Sequence, residues 1–379
     1  MRVPAPTATD TATNAATDTA TDTAGNAAAV PAAIAWPSAA RQAAFEAWAA
    51  AIDTPAGLQW STLAPASADA SFRRYLRVQG ADGVSYIVMD APPPQEDVRP
   101  FVHVAGLLAA AELHAPRVLA ADEAQVFLLL TDLGDELYLD ALRDPARADA
   151  LMRAALQALL RWQLRVPAAV LPPMDEALLR AELALFPEWC VQREFGVTWT
   201  AAQQQSWQRV CDLLVASALA QPQVAVHADW MPRNLMVGPP SLGPGILDFQ
   251  DAMRGPITHD LACLLRDAFI SWDEAQELDW AVRWWQQART AGLPLGPALQ
   301  DDFGEFWRAL EWMGLQRHLR VMGIFCRLKQ RDGKPRYAAD LPRFMGYATR
   351  VAMRYAPLRP LLALLAPLSG QAVGSGFTF

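Results

Sequence analysis

The chain of 379 residues has few of the side chains that build metal clusters or disulfide frameworks, since it contains five histidines and four cysteines. The cysteines lie far apart, without a C-x-x-C pair and without a histidine at metal-ligand spacing. Buried free thiols in a reducing compartment are therefore expected. An excess of positive charge is also missing, because the formal net charge is -8, and this argues against a nucleic-acid partner.

Long apolar segments are missing as well. No stretch approaches the ~20 apolar residues of a membrane-spanning helix. Residues 1–35 also lack the basic and apolar regions of a signal peptide. We therefore expect a soluble, cytoplasmic protein with a small-molecule substrate and no obligate protein partner.

The patterns that are present divide the chain into four parts. Residues 1–35 are rich in Ala, Thr and Asp and poor in large side chains, which predicts a disordered extension. Residues 36–131 contain short β-like runs and turn signals, which predict a small antiparallel-sheet N-lobe. Helical patterns dominate residues 132–368 and predict a larger helical C-lobe, followed by a flexible tail at 369–379. The expected fold class is α+β.

Two motifs in the C-terminal half carry chemistry. The segment from His227 to Val237 has the layout H-x-D-x-x-x-x-N, and Leu247-Asp248-Phe249 follows after a Gly/Pro loop. Short β-like runs precede each motif, at Val224–Val226 and Gly245–Leu247. Phosphoryl transfer needs a carboxylate that orients and deprotonates the acceptor hydroxyl, and oxygen ligands that hold magnesium on the phosphates. The motifs supply both kinds of group.

Protein kinases place the base at the Asp of such a loop and the magnesium ligands at its Asn and at the Asp of D-F-G. The spacing therefore predicts Asp229 as the base, with Asn234 and Asp248 as magnesium ligands; turn or capping roles are the alternative. We expect His227 to support the loop by bonding its backbone. Asp260, at a helical start, is expected to cap amides or brace the loop.

These segments resemble two related groups of proteins. The loop and the following strand that ends in Asp resemble the aminoglycoside phosphotransferase superfamily, whose pattern is close to H-G-D-x-x-x-x-N. A narrower resemblance is to the N-acetylmuramate/N-acetylglucosamine anomeric kinases, and it covers nearly the whole chain after the extension. The segments that carry it are Ala70–Tyr75 (A-S-F-R-R-Y), Val88–Pro93 (V-M-D-A-P-P), Leu247–Ala252 (L-D-F-Q-D-A), Gly255–Ile257 (G-P-I) and Gly323–Arg327 (G-I-F-C-R).

The resemblance implies a two-lobed protein-kinase-like fold with ATP in the cleft between the lobes. It also implies ATP and Mg²⁺ as cofactors and an amino sugar as substrate. The implied reaction is phosphorylation of the anomeric hydroxyl to the α-1-phosphate, in the recycling of peptidoglycan.

One feature of the wider superfamily has no obvious counterpart. The sheet lysine that pairs with the nucleotide phosphates is absent, since the strand-like run Tyr86–Met89 ends in methionine. Ser71, Arg73 and Arg74 lie where a phosphate-covering loop is expected, and a guanidinium group can grip a phosphate with two hydrogen bonds. We expect these three residues to contact the nucleotide, with ordinary strand-surface arginines as the alternative.

A muramic-type substrate carries a lactyl carboxylate, for which arginine is the natural partner. Arg266, on a helix after the predicted metal loop, is the candidate. Arg317, Arg320 and Arg327 follow along a later helical pattern. Most of these arginines are expected to face solvent or to form ion pairs.

Three other functions remain open. A kinase for an aminoglycoside or a choline-like cation would need an acidic or aromatic cleft, which the net acidity permits. A nucleotide-binding pseudokinase would explain the missing sheet lysine, although the base and both metal ligands are present. A metal-dependent hydrolase would need denser ligand clusters than five histidines provide.

Overall fold

The computed structural model describes residues 34–52, 57–66, 73–93 and 96–369. Among these residues the strands are β1 (Leu58–Pro65), β2 (Arg74–Gly80), β3 (Ser85–Asp90), β4 (Val118–Asp122), β5 (Phe127–Thr131), β6 (Gln223–Val226), β7 (Leu235–Met236), β8 (Gly245–Ile246) and β9 (Met253–Pro256). The α-helices are α1 (Ala39–Ala51), α2 (Arg99–Ala110), α3 (Tyr138–Ala141), α4 (Pro145–Arg165), α5 (Glu176–Leu185), α6 (Ala201–Ala220), α7 (His259–Leu265), α8 (Glu274–Thr290), α9 (Gly296–Asp301), α10 (Phe303–Gln330), α11 (Leu341–Arg354) and α12 (Pro360–Leu365). The α+β class expected from the sequence is confirmed.

The chain forms two compact units. The first contains the described residues up to Leu137 together with Leu235–Asp251, and the second contains Tyr138–Asn234 and the residues from Ala252 onward. The sequence had placed one boundary between residues 131 and 132. The structure differs because Leu235–Asp251 bonds to the first unit: the Ile246 N–H donates to the His114 carbonyl at 2.8 Å, and the Val237 N–H donates to the Glu136 carbonyl at 2.8 Å.

The first unit is built on an antiparallel sheet with the strand order β1-β2-β3-β5-β4. Leu76 and Val78 of β2, and Phe127 and Leu129 of β5, alternate along their strands and bury one face of the sheet. Helix α1 covers that face with Phe45 and Trp48, and the Trp48 ring stacks on Phe127 at a centroid distance of 5.3 Å. Burial of these large aromatic side chains stabilises the unit.

Ile34 and Ala35, which the sequence assigned to the extension, make contacts in the first unit. Ile34 packs against the aromatic cluster, and the Ala35 carbonyl accepts a hydrogen bond from the Arg74 guanidinium at 2.6 Å. Both residues therefore belong to the first unit. Residues 1–33 and 370–379 lie outside the described residues.

The second unit surrounds α10, most of whose side chains are buried. Gly323 allows α10 to approach the end of α5, since a Cβ atom at this position would lie 2.5 Å from the Leu185 carbonyl carbon. This close approach gives a structural reason for the glycine of the G-I-F-C-R segment.

Two further predictions from the sequence can be compared with the structure. The four cysteines are free and buried, as expected. Among the described residues, the helices include none with both the length and the apolar character to cross a membrane.

Candidate active site

The predicted catalytic loop, residues 227–234, begins where β6 ends, and one buried carboxylate bonds to its first residues. Strand β6 pairs with β9 in the second unit. The His227 N–H donates to Asp260 Oδ2 at 2.7 Å, and the Ala228 N–H donates to Asp260 Oδ1 at 3.1 Å. Asp260 is fully buried in the first turn of α7. Its contacts are those of a brace for the loop, the role that the sequence suggested.

Ala228 has a positive φ of 78°. The resembling pattern has glycine at this position, whereas an L-residue in the left-handed region costs about 1–2 kcal/mol. The Ala228 N–H donates to Asp260, and the Ala228 carbonyl accepts a hydrogen bond from Cys263 Sγ at 3.5 Å. These bonds stabilise the strained backbone conformation of Ala228, the residue before Asp229.

Asp229 and Asn234 lie in one compact turn. The Asp229 N–H donates to His227 Nδ1 at 3.3 Å, which is the kind of backbone contact expected of His227. Asn234 Nδ2 donates to the Asp229 carbonyl at 3.0 Å, and the Asn234 N–H donates to the Met231 carbonyl at 2.8 Å. Asp229 itself is half-buried. The loop thus fixes the backbone of the predicted base at both ends.

Asp248 lies in the first unit, directly after the β7–β8 hairpin. Its φ is 57°, and Gln250 Nε2 donates to its Oδ1 at 2.9 Å. The next residue, Phe249, is fully buried and packs on Phe101 of α2 at a ring-centroid distance of 4.6 Å. Packing of Phe249 therefore orients the loop that carries Asp248.

Asp248 in the first unit and Asn234 in the second each carry an oxygen atom of the kind that magnesium prefers. Magnesium prefers hard oxygen ligands, and carboxylate and amide oxygens are among them. The side-chain nitrogen of Asn234 donates to the Asp229 carbonyl, so the side-chain oxygen of Asn234 is the atom suited to bind a cation. Asp248 offers a half-buried carboxylate.

Arg73 is the predicted phosphate contact whose surroundings suit that role. Its Nε donates to Glu96 Oε2 at 2.8 Å. Burial lowers the pKa of Arg73, but Tyr75, Glu96 and Asp248 raise it, and the net shift is upward. Arg73 is thus a fixed positive charge in the electrostatic field of Asp248. The sequence did not suggest Glu96, which is 23 residues from its partner.

The other two predicted phosphate contacts differ. Arg74 Nε donates to Asp90 Oδ2 at 3.0 Å, and Arg41 Nη2 donates to Asp90 Oδ1 at 2.6 Å. Asp90 is fully buried, so this cluster ties α1 to the sheet. The contacts of Arg74 favour the structural alternative over phosphate binding. Ser71 lies outside the described residues.

The contacts of Arg266 contradict its predicted role as the partner of a substrate carboxylate. It is 1% exposed, with Nε bonded to Glu277 Oε2 at 3.1 Å and Nη2 bonded to Glu311 Oε1 at 2.9 Å. Two carboxylates of the protein therefore already bind its guanidinium group. Both partners are distant in sequence, at 11 and 45 residues, and no local pattern reveals them.

The arginines on α10 differ in their surroundings. Arg320 is ion-paired, as expected, with Nε 3.0 Å from Glu182 Oε1. Arg317 is 2% exposed, so a solvent-facing position is wrong for it.

Structures of known proteins share this fold. A choline/ethanolamine kinase family protein from Mesorhizobium loti matches with a TM-score of 0.54 and 15% identity, over 86% of this chain and 99% of that one. The ADP-bound aminoglycoside phosphotransferase APH(2'')-Ib matches with a TM-score of 0.52 and 11% identity, over 83% of this chain and 98% of that one. At such identities the likeness concerns the fold alone, and it confirms the protein-kinase-like class.

Sequence comparison is more specific. The N-acetylmuramate/N-acetylglucosamine kinase of Pseudomonas aeruginosa is 54% identical over 306 residues, which cover 81% of this chain and 88% of the relative. The protein of the same name from Pseudomonas putida is 52% identical over 320 residues, 84% of this chain and 91% of the relative. The profile of the phosphotransferase enzyme family matches residues 62–317, which include the catalytic loop and Asp248. The chain belongs to the phosphotransferase enzyme family.

Proposed function

We propose that this protein transfers the γ-phosphoryl group of ATP to the anomeric hydroxyl of N-acetylmuramate and N-acetylglucosamine, giving the α-1-phosphates for peptidoglycan recycling in the cytoplasm. The observation that carries the proposal is a braced loop with Asp229 and Asn234 in one turn, in a chain 54% identical to a kinase named for these sugars. The substrate is a small molecule, and neither a nucleic acid nor a membrane is required.

Asp229 is the base in this proposal. Its carboxylate accepts the proton of the anomeric hydroxyl as that oxygen attacks the γ-phosphorus and the bond to the β-phosphate bridging oxygen breaks. The hydrogen bonds from Asn234 and to His227 fix the Asp229 backbone, so the carboxylate starts from a defined position. Positioning of this kind supplies much of the acceleration in phosphoryl transfer.

Asn234 and Asp248 would hold Mg²⁺ through their side-chain oxygens, and the bound ion neutralises negative charge on the phosphates of ATP. Gln250 and the packing of Phe249 on Phe101 keep the Asp248 loop in place.

Arg73 takes over the charge of the missing sheet lysine. Glu96 holds its guanidinium group by a hydrogen bond of 2.8 Å, and its electrostatic interaction with Asp248 ties it to the predicted metal site. A guanidinium group can contact phosphate oxygens with two parallel N–H groups. The pair also weakens the argument for a pseudokinase, which rested on the absent lysine.

The test is direct. Purified protein with magnesium and ATP is incubated separately with N-acetylmuramate, N-acetylglucosamine, an aminoglycoside and choline, while ADP release is followed and the phosphate is located by phosphorus NMR. We expect phosphate on C1 of both amino sugars. Turnover with the aminoglycoside or choline alone would reassign the substrate class, and nucleotide binding without any turnover would indicate a pseudokinase.

Asp229→Asn provides the mechanistic control. Removal of the base should lower kcat by at least about 100-fold, while thermal unfolding stays unchanged. The matched control is Asp212→Asn on α6, an exposed aspartate paired with Arg180, which should keep wild-type activity. Full activity in Asp229→Asn would show that the base is another residue.

A further inference from the structure

Arg317 is a buried arginine whose charge meets no hydrogen-bond acceptor of the protein. It lies on α10 with 2% exposure. Within the described part of the chain, its Nε, Nη1 and Nη2 atoms are all buried and bond to no protein atom. Leaving a buried charged group without hydrogen bonds is costly, so a fold retains one where a ligand or an ordered solvent molecule satisfies it.

Asp267 is a second buried residue with an unsatisfied polar atom, and it interacts electrostatically with Arg317. It is fully buried just after α7, and its Oδ2 accepts hydrogen bonds from the Phe269 and Ile270 N–H groups at 2.6 and 3.0 Å. Its Oδ1 has no hydrogen-bond partner among the described residues. Burial raises the pKa of Asp267 and the charge of Arg317 lowers it, with a net rise, so the two groups interact electrostatically without a hydrogen bond.

These two residues lie beside the catalytic loop within the second unit. His318, next to Arg317, bonds through Nε2 to the Arg266 carbonyl at 3.1 Å, which places α10 against the residue before Asp267. From the other side, the Arg233 guanidinium carbon of the catalytic loop lies 5.2 Å from the centre of the Phe269 ring. The segment that holds Asp267 thus connects the catalytic loop to α10.

The donors and the acceptor define the ligand chemistry. A guanidinium group offers a planar fork of N–H donors that matches a carboxylate, whereas Asp267 Oδ1 can accept from a hydroxyl group. A ligand that carries both groups is a sugar acid. Resting on the proposed function, we propose that Arg317 binds the lactyl carboxylate of N-acetylmuramate while Asp267 accepts a hydrogen bond from a hydroxyl of the same sugar.

A purely structural ion pair is the competing explanation, and the neighbouring arginine of α10 shows what such a pair looks like here. Arg320 is 9% exposed, and its Nε lies 3.0 Å from Glu182 Oε1. Arg317 makes no comparable bond to Asp267, although both are more deeply buried. The two arginines therefore supply a test residue and a matched control on one helix.

The experiment compares wild type, Arg317→Gln and Arg320→Gln in the full-length protein with magnesium and ATP. The acceptors are N-acetylmuramate, its lactyl methylamide and N-acetylglucosamine, and kcat and KM are measured for each. We expect Arg317→Gln to raise KM for N-acetylmuramate roughly 10- to 100-fold, the usual effect of losing hydrogen bonds to a charged group. Values for N-acetylglucosamine should change little, and the variant should no longer distinguish the acid from the methylamide. Arg320→Gln should treat all three acceptors as wild type does.

Equal losses with both sugars in Arg317→Gln, or no loss with either, would overturn the assignment. Wild type that accepts neither sugar would overturn the proposed function as well. Wild-type turnover of both sugars, combined with equal losses or no loss in Arg317→Gln, would reject the inference alone. If Arg317→Gln does not fold, crystals of the wild-type protein soaked with N-acetylmuramate decide. A carboxylate within hydrogen-bond distance of Arg317 supports the assignment, and one bound elsewhere refutes it.

Discussion

Arg266 and Arg317 are buried almost equally, at 1% and 2% exposure, but their surroundings differ. Arg266 bonds directly to Glu277 and Glu311. Glu311 also accepts from Arg354 at 2.5 Å and from the Tyr355 hydroxyl at 2.6 Å. Arg317 interacts electrostatically with Asp267 and has no protein hydrogen bond among the described residues.

The difference separates two uses of a buried charge. Where carboxylates of the protein take the guanidinium group, its removal leaves buried anions behind and should affect folding. Where the guanidinium group has no protein acceptor, its removal should affect binding more than folding. Burial by itself does not separate these uses, whereas the hydrogen-bond partners do.

The largest expected effect on stability comes from removing Arg266, the arginine that bonds to carboxylates of the protein. Arg266→Met removes the cation bonded to Glu277 and one of the two arginines bonded to Glu311, and it should lower the free energy of unfolding by about 3–5 kcal/mol. Urea denaturation measures the change. Activity towards both sugars should fall together, in step with the folded fraction. A selective loss of N-acetylmuramate turnover in a stable variant would contradict the structural role of Arg266.

His318 lies between the two arginines and gives a pH test. Burial first of all, together with Arg317, Arg266 and Arg350, lowers its pKa from 6.5 to about 3, although the bond to the Arg266 carbonyl opposes the shift. Unfolded His318 takes up a proton below pH 6.5 that folded His318 refuses, so its stabilising contribution is present above pH 6.5 and is lost as the pH falls towards 3.

Between about pH 6.5 and pH 5 this loss should amount to about 2 kcal/mol. The free energy of unfolding from urea titrations at several pH values measures it, with His318→Gln as the control that should remove this part of the pH dependence. An identical pH profile in the variant would mean that folding does not lower the pKa of His318.

The smallest effect is expected at the exposed edge of the paired network. Arg350 lies 3.9 Å from Glu274, and both side chains are 41% exposed. Because solvent screens such a pair, Arg350→Gln should change the free energy of unfolding by less than about 0.5 kcal/mol. Thermal unfolding at low and high salt checks this. A loss close to that of Arg266→Met would show that burial of the pair is not what matters.

The loop His227–Asn234 could be recognised in the sequence because its interactions are local. Asp229 and Asn234 are joined by a bond that spans five residues, and His227 reaches the Asp229 N–H across two. Residue spacing therefore carries most of the information about this turn. The α+β class also followed from local patterns, since strand alternation and helical periodicity can be recognised in short stretches of the sequence.

The contacts of Arg74 and Arg266 could not be predicted for the opposite reason. Glu311 is 45 residues from Arg266, and Asp90 is 16 residues from Arg74 and 49 from Arg41. An isolated arginine in a sequence gives no sign of such partners. The sequence did not indicate Glu96, the partner of Arg73, for the same reason, since it lies 23 residues away between β3 and α2.

By itself the sequence determined the α+β class, the spacing of Asp229 and Asn234 and the family resemblance, because these depend on neighbours along the chain. Tertiary structure decided that Leu235–Asp251 joins the first unit and that Arg266 is bonded while Arg317 is not. Those outcomes depend on which distant backbone and side-chain groups meet when apolar surfaces are buried. The turn that contains Asp229 and Asn234 can be recognised from residue spacing, but the partners of the buried charged side chains depend on tertiary packing.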